Sequence, residues 1–254
     1  MAMVSTEKAV VLKVGKFKEA DCWVRLLSPS RGIFNAFAFG GCRSRRRFCG
    51  CLDPLNLVLF SIGANRSGSY SVLEEGSLLN AYQTVKTDPA RTGIAVNCTK
   101  FLEKLELDAQ AARPVFELAV EMLNAVEQGG VGLEAMPWMF RIKLAFEMGY
   151  APSFVECGLC GSEVGNESGY RFSVERGQVV CPACHSAGKS VEGFARPVTA
   201  GALRVLDWIH DSRPAEWSRA ALSAKIGRQC RQMAELFVAY HLGLSWENGF
   251  YKQV

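Results

Sequence analysis

Four cysteines in the second half of the chain restrict its fold more than any other feature. They lie in "CGLCGSEVGNESGYRFSVERGQVVCPAC", where Cys157 and Cys160 form one C-x2-C pair and Cys181 and Cys184 form a second, twenty residues later. Zn²⁺ favours four ligands in a tetrahedron, and the two-residue spacing lets a tight turn aim two thiolates at one ion. The pattern therefore predicts one structural zinc ion. It also predicts a hairpin, turning at "ERGQ", that returns the second pair to the first.

Two alternatives for this module have less support. Two C-x2-C pairs in one loop-rich segment are unusual for a redox site, and four cysteines leave no open position of the kind a catalytic zinc needs. His185 follows Cys184 directly and could replace one ligand, but a solvent-exposed histidine is the favoured interpretation. Zinc is therefore expected to stabilise the fold of the module, because metal binding adds directly to the free energy of folding.

The other six of the ten cysteines are scattered along the chain. The amino-terminal sequence does not resemble a secretory signal peptide, and no apolar run approaches the roughly 20 residues needed to span a bilayer. We therefore expect a cytoplasmic protein with reduced thiols and no membrane partner. Cys42, Cys49 and Cys51 have a spacing that suits no single metal ion, so they are interpreted as small apolar fillers.

Residues 1–80 show the pattern of a small all-β domain. Five short segments rich in Val, Ile, Leu and Phe are separated by turn sequences, without helices between them. The predicted strands are 8–17, 22–28, 32–40, 55–62 and 70–79. This arrangement fits a five-stranded OB-fold barrel, with an SH3-like barrel as its structural rival.

From residue 88 onward the apolar residues recur at helical spacing. The predicted helices are 89–109, 113–130, 134–150, 199–211 and 215–244. Residues 153–190 interrupt the pattern with the clustered cysteines. The predicted fold class is therefore α+β: an OB-fold barrel over 1–80, then an all-α domain over 81–254 with a zinc-ribbon-like module inserted at 153–190.

A basic run, "RSRRRF", lies in the predicted loop between the third and fourth strands. The net charge of the chain is +4, and residues 1–80 carry 11 Lys and Arg against 6 Asp and Glu. A localised basic face is typical of nucleic-acid-binding proteins, and the planar fork of arginine suits phosphate oxygens. A solvated loop without a ligand is the alternative. The predicted DNA-binding residues are Arg43, Arg45, Arg46, Arg47, Lys16, Lys18 and Arg25.

Aromatic side chains could add base stacking to these phosphate contacts. Barrels that bind single strands combine stacking rings with cations that follow the backbone. Phe48, Trp23 and Phe34 are candidates, although each is more often part of a core. The sequence contains no phosphate-binding loop of the Gly-x4-Gly-Lys-Ser/Thr type and no evident pair of catalytic carboxylates, so we do not expect an enzyme.

Taken together, these segments resemble the bacterial recombination mediator RecO family. The opening strands, an acidic turn at Asp21, the Gly40–Gly41 turn with its arginines, and "LDPLN" are similar to the start of that family. "EMGYAPSFVECGLCG" and "CPAC" are similar to its zinc module. The carboxyl-terminal "HLGLSWENGF" is less basic than the family pattern, and cysteines around the basic turn are unusual for it.

The resemblance implies more than the residues alone. It implies binding of single- and double-stranded DNA without sequence specificity, annealing of complementary strands, and help in loading RecA onto SSB-coated single strands. RecR and the SSB carboxyl-terminal tail would be partners, and the protein would be nucleoid-associated. A zinc-ribbon nucleic-acid-processing enzyme and a protein-interaction adaptor with a basic face remain as rival hypotheses.

Overall fold

A computed structural model of the chain describes residues 4–107, 109–189, 193, 195–248 and 250–253. It divides into two compact units, Met1–Gln128 and Gly129–Val254. The helices that directly follow the strands therefore group with the strands. The domain boundary at residue 80, between a DNA-binding barrel domain and a helical domain, remains a prediction.

The first unit contains a closed barrel of five strands in the order β1-β2-β3-β5-β4. The strands are β1 Ser5–Phe17, β2 Asp21–Ser28, β3 Gly32–Ala38, β4 Leu57–Ala64 and β5 Ser71–Asn80. Strands β3 and β5 are parallel, and the other neighbours are antiparallel. This is the predicted OB-fold, and every predicted strand boundary lies within three residues of the observed one.

The barrel interior is filled by side chains that alternate along the strands. Val24 and Leu26 point into the core, so Trp23 and Arg25 between them point outward. The loop between β3 and β4 adds Phe48 and Cys51, which are 3% and 1% exposed, to the same core. The expectation that Phe48 could stack on bases is therefore wrong, because its ring packs inside the barrel.

Three helices complete the first unit: α1 Gln83–Thr87, α2 Pro89–Leu102 and α3 Ala109–Gln128. Helix α2 begins where its sequence predicts. The Asp88 carboxylate accepts hydrogen bonds from the backbone N–H groups of Ala90 and Arg91, and Pro89 occupies the first turn. Helix α3 packs against β2 and β3.

The second unit is helical with an inserted sheet, as predicted. Helix α4, Met136–Glu147, packs against helices that follow the insertion in sequence. The insertion contains β6 Ser153–Cys157, β7 Arg171–Ser173, β8 Gln178–Val180, α5 Pro182–Ser186 and β9 Ala195–Pro197, in the sheet order β6-β8-β7-β9. Strands β7 and β8 form the predicted hairpin. Residue 190, the last residue of the predicted module 153–190, lies outside the described residues, and the observed sheet continues past it to β9.

The predicted single helix over 215–244 is wrong in two respects: it is divided after residue 217, and it ends at residue 242 instead of 244. It is divided into α7 Pro214–Trp217 and α8 Ala224–Leu242, following α6 Ala200–Asp211. At the break, Trp217 is fully buried and the Ser218 carbonyl accepts a hydrogen bond from the distant Gly132 N–H at 2.9 Å, so contacts outside the helix hold the chain there. After α8, strands β10 Leu244–Glu247 and β11 Phe250–Gln253 form a hairpin that the sequence analysis did not predict.

No helix among the described residues is both long enough and apolar enough to cross a membrane.

Candidate nucleic-acid interface and metal centre

Four outward-facing rings on the barrel form a continuous cluster, which we call the aromatic row: Phe17, Phe37, Phe39 and Tyr70. The Phe37 centroid lies 5.2 Å from Phe17, 6.1 Å from Phe39 and 5.2 Å from Tyr70. Phe17, Phe39 and Tyr70 are 37–40% exposed, a large area for phenyl rings without a role in the core. Alternation along the predicted third strand, 32–40, places Phe37 and Phe39 on one face, but no sequence pattern brings Phe17 and Tyr70 to them.

Trp23, one of the predicted stacking residues, extends this outer surface. It pairs with Gly15 across β1 and β2, and a Cβ atom on Gly15 would lie 2.2 Å from the indole ring. Glycine is thus required for the indole to lie against the strand. Trp23 and Phe37 line an open cleft of about 500 Å³ with Lys13 and Arg25. Phe34, the third predicted stacking residue, packs against the barrel core instead.

The basic segment, residues 40–47, is called here the arginine loop, and it starts where the aromatic row ends. Gly40 has a positive φ of 67° and donates its N–H to Asp21 Oδ1 at 2.8 Å, which anchors the turn. Arg43, Arg45, Arg46 and Arg47 are all exposed. Arg43 lies 3.9 Å from Glu19, but both side chains are largely solvated, so this ion pair holds the guanidinium only weakly.

Arg47 has a structural role that the other three arginines lack. Its Nη2 donates to the Phe39 carbonyl at 2.5 Å, and its Nη1 donates to the Glu74 carbonyl at 3.4 Å. Its own carbonyl accepts from the Gly76 N–H at 2.7 Å. These bonds hold the arginine loop on β5. A phosphate contact by Arg47 remains a prediction.

The three other predicted cations lie at different places on the same barrel. Lys16 and Lys18 are exposed, and Lys18 Nζ lies 5.5 Å from the centroid of the Phe17 ring. Arg25 is half-buried and its Nη2 donates to the Glu103 carbonyl at 3.1 Å. Lys18 and Arg25 therefore border the aromatic row and its cleft, whereas Lys16 lines a different cleft at the base of the arginine loop.

The structure brings the four predicted ligand cysteines together in the second unit. The Sγ atoms of Cys157, Cys160, Cys181 and Cys184 all lie within 4.8 Å of one another. The Cys160–Cys181 distance is 3.7 Å, close to the edge of about 3.8 Å that four thiolates form around zinc. The donor set and its size therefore fit one tetrahedral metal ion. His185 is exposed and is not a member of this group.

Hydrogen bonds orient these thiols. Cys181 N–H donates to Cys157 Sγ at 3.3 Å, and Cys184 N–H donates to Cys181 Sγ at 3.4 Å. The side chain of Ser162 hydrogen-bonds to Cys160 and lowers the pKa of that thiol to about 6. Hydrogen bonds to the ligand sulfur atoms are typical of sites that hold thiolates around a metal ion.

The three cysteines interpreted as small apolar fillers, Cys42, Cys49 and Cys51, fall into two groups. Cys51 is in the barrel core, as expected for a small apolar side chain. Cys42 and Cys49 are exposed, so the filler interpretation is wrong for these two residues. The spacing did not reveal this difference, because it depends on how the loop folds across the barrel.

The fold and the two sites define an OB-fold protein with a helical unit and a four-cysteine module. Comparison with known proteins agrees with this class. Residues 1–82 match the family description "Recombination protein O N terminal", and residues 86–248 match "Recombination protein O C terminal". The chain belongs to the Recombination protein O family.

Full-length relatives support this membership. The chain is 44% identical over 252 residues to a protein of Maridesulfovibrio salexigens, with 99% of this chain and all of the relative covered. It is 41% identical over 249 residues to one of Oleidesulfovibrio alaskensis, covering 98% and 99%. It is 36% identical over 253 residues to one of Lawsonia intracellularis, covering 98% of each. All three relatives are named DNA repair protein RecO.

The contacts of Arg47 lead to a first prediction. Replacing Arg47 with alanine should loosen the arginine loop by about 1 kcal/mol, since two hydrogen bonds to backbone carbonyls are lost at a partly solvated site. Hydrogen exchange of the amides in residues 40–47 and of Gly76 measures this change. The matched variant Arg45→Ala should leave the same amides unaffected, and equal exchange in both variants would contradict the structural role of Arg47.

Proposed function

We propose that this chain is a recombination mediator in DNA repair that binds single- and double-stranded DNA without sequence specificity. One observation carries the proposal: on an OB-fold barrel, a row of exposed aromatic rings continues directly into a loop with four exposed arginines, one of which also anchors the loop. Membership in the Recombination protein O family and the names of the relatives support the repair role.

The two parts of this surface have complementary chemistry. Every base has a π face, so stacking on the aromatic row tolerates any sequence, and arginines contact phosphates that are the same in every nucleotide. Duplex DNA offers only the phosphates, so the arginine loop would dominate binding to duplexes. Neutralising the charge of two strands on one basic surface would also let complementary strands approach and anneal.

Measurements of single-strand binding should separate the contribution of base stacking on the aromatic row from that of phosphate contacts by the arginine loop. Phe39→Ala should weaken binding by about 1–3 kcal/mol with an unchanged salt dependence, because a stacking contact is lost and no charge is removed. The triple variant Arg43→Ala, Arg45→Ala, Arg46→Ala should lower the slope of log K against log salt by about 2, since each phosphate contact on a single strand contributes about 0.7. Fluorescence anisotropy with a labelled oligonucleotide, repeated over a salt series, measures both quantities.

Two control variants make this test specific. Tyr240→Ala removes a ring that is 58% exposed in the other unit, and Arg113→Ala removes an exposed cation from α3. Neither should change affinity. Wild-type affinity and slope in both test variants would reject the proposed surface. Metal-dependent cleavage of the oligonucleotide would instead favour a nucleic-acid-processing enzyme.

We also propose that the four-cysteine module holds one Zn²⁺ in a structural role and that the protein acts without covalent catalysis. The support is the donor set: four thiols at tetrahedral spacing would fill the coordination shell and leave no position for a reacting water. When bound, the ion would supply folding free energy to a small module whose own strands have only three to five residues each.

Metal content tests the zinc proposal. The wild-type chain should bind about one zinc per molecule, and Cys160→Ser should reduce this strongly and speed hydrogen exchange in the β7–β8 hairpin. Elemental analysis by mass spectrometry measures the stoichiometry. Cys49→Ser is the matched control, because Cys49 is also an exposed cysteine but lies on the barrel. Iron in place of zinc, or full zinc binding by Cys160→Ser, would contradict the proposal.

The partner of the helical unit is proposed to be the SSB carboxyl-terminal tail, an acidic segment that ends in apolar residues. A cleft of about 420 Å³ in the second unit has the matching chemistry. Its apolar part includes Trp138, Leu222 and Val131, which is 75% exposed, and Arg228 and Arg231 stand beside it. RecR binding, RecA loading and a nucleoid-associated cytoplasmic location are inferred from family membership alone.

Charge reversal tests this cleft. Arg228→Glu with Arg231→Glu should weaken binding of a synthetic SSB-tail peptide at least about tenfold, because like charges would now face each other. Annealing of bare complementary strands should be unchanged, while annealing of SSB-coated strands should slow. Arg219→Glu, an exposed arginine outside the cleft lining, is the matched control. Unchanged peptide binding in the double variant would reject this location.

A further inference from the structure

Two cysteines that the zinc site does not use meet at the base of the arginine loop. Cys22 begins the inward face of β2 and is 4% exposed, whereas Cys42 lies on the turn before Arg43 and is exposed. Both line one open cleft of about 450 Å³, together with Lys16 and Asp53. The cleft is open to a small solute at Cys42, and the buried Cys22 lies in its wall.

Backbone contacts hold the two cysteines against each other. The Cys42 N–H donates to the Ala20 carbonyl at 2.9 Å, and the Cys42 thiol lies 3.5 Å from the Asp21 carbonyl oxygen. A Cβ atom on Gly41, next to Cys42, would lie 3.6 Å from Cys22 Sγ. The turn that carries Cys42 is thus docked where β2 begins, beside Cys22.

The two thiols also differ in reactivity. Burial, together with a hydrogen bond and the charge of the neighbouring Cys42 thiol, raises the pKa of Cys22 to about 12. Cys22 is therefore a poor first target for an oxidant, since the thiolate is the nucleophile. Cys42 is open to solvent, so an oxidant reaches it first.

We propose that Cys22 and Cys42 form a redox-active dithiol that a hydroperoxide closes to a disulfide. Cys42 sulfur attacks one peroxide oxygen, the O–O bond breaks, and the leaving oxygen takes a proton, which gives Cys42 sulfenic acid and water or an alcohol. Cys22 sulfur then attacks Cys42 sulfur, and the S–O bond breaks. Hydroxide leaves with the Cys22 proton as water. Two thiols and one hydrogen peroxide yield one disulfide and two waters.

The disulfide tethers the arginine loop to β2. Because Cys42 immediately precedes Arg43, the link restrains the 3-10 turn Gly41–Arg43 that is otherwise held by hydrogen bonds. Oxidation should therefore slow hydrogen exchange in this turn. This modification site does not depend on DNA binding, so its test and the oligonucleotide tests can fail separately.

Peptide mapping tests the proposal on the full-length, zinc-loaded protein. After hydrogen peroxide treatment and alkylation of free thiols, trypsin releases residues 19–25 and 32–43, each of which contains a single cysteine. The two peptides should appear as one linked species, lighter than their sum by two hydrogen masses and separated by dithiothreitol. The linked species should be undiminished in Cys49→Ser, whose exposed thiol lies on the same loop.

Two substitutions identify the order of the steps. In Cys22→Ser, Cys42 sulfenic acid should persist and react severalfold more with dimedone than in the wild type, because the resolving thiol is missing. In Cys42→Ser, Cys22 should stay reduced under the same treatment. Separate alkylation of Cys22 and Cys42 in oxidised wild-type protein, or a Cys42 link to Cys49 or to a second chain, would overturn the proposal.

Discussion

Closure of the barrel depends on β1, because this long strand changes partner along its length and so joins the two ends of the strand order. Its first half pairs with β4 and its second half with β2, and Val10 takes part in both ladders. An irregularity in register between Val11 and Lys13 accommodates the change of partner. Bulges of this kind bend a strand and increase its twist, which a small closed barrel requires.

Once the barrel is closed, strand alternation determines what faces solvent. Valine, leucine and alanine side chains fill the interior, so the intervening residues of β1, β2 and β3 must point outward. Phe17, Trp23 and Phe37 are among them, and they approach one another because neighbouring strands bring their side chains within contact distance. The outer surface is therefore a geometric consequence of the core, although its aromatic composition is not needed for folding.

The loop between β3 and β4 connects core packing to the proposed chemistry. Phe48 and Cys51 insert into the barrel, and Arg47 bonds to carbonyls on either side of the loop. These anchors leave Arg43, Arg45 and Arg46 exposed and press Cys42 against β2. One short segment thus carries residues that enter the core, arginines that are candidates for phosphate binding and one thiol of the proposed pair.

Much of this architecture was predictable because local signals were strong. Strand alternation, helix caps and the C-x2-C spacing act over a few residues, so the barrel strands, the start of α2 and the cysteine cluster follow from sequence patterns. The division after Trp217 was not predicted, since burial of its indole and the hydrogen bond from Gly132 to the Ser218 carbonyl outweigh helical periodicity there. The β10–β11 hairpin was not predicted either, because strands of four residues give little local signal.

The sequence by itself determined the fold class and the four thiols of the metal centre, because both depend on short repeating patterns. Only the tertiary structure decided which members of "FGGCRSRRRFCGC" face solvent, which hold the loop and which enter the core. It also decided that Tyr70 joins rings from β1 and β3, and that Cys42 meets Cys22. These contacts join residues 20 or more positions apart, and their distance is set by barrel closure rather than by local spacing.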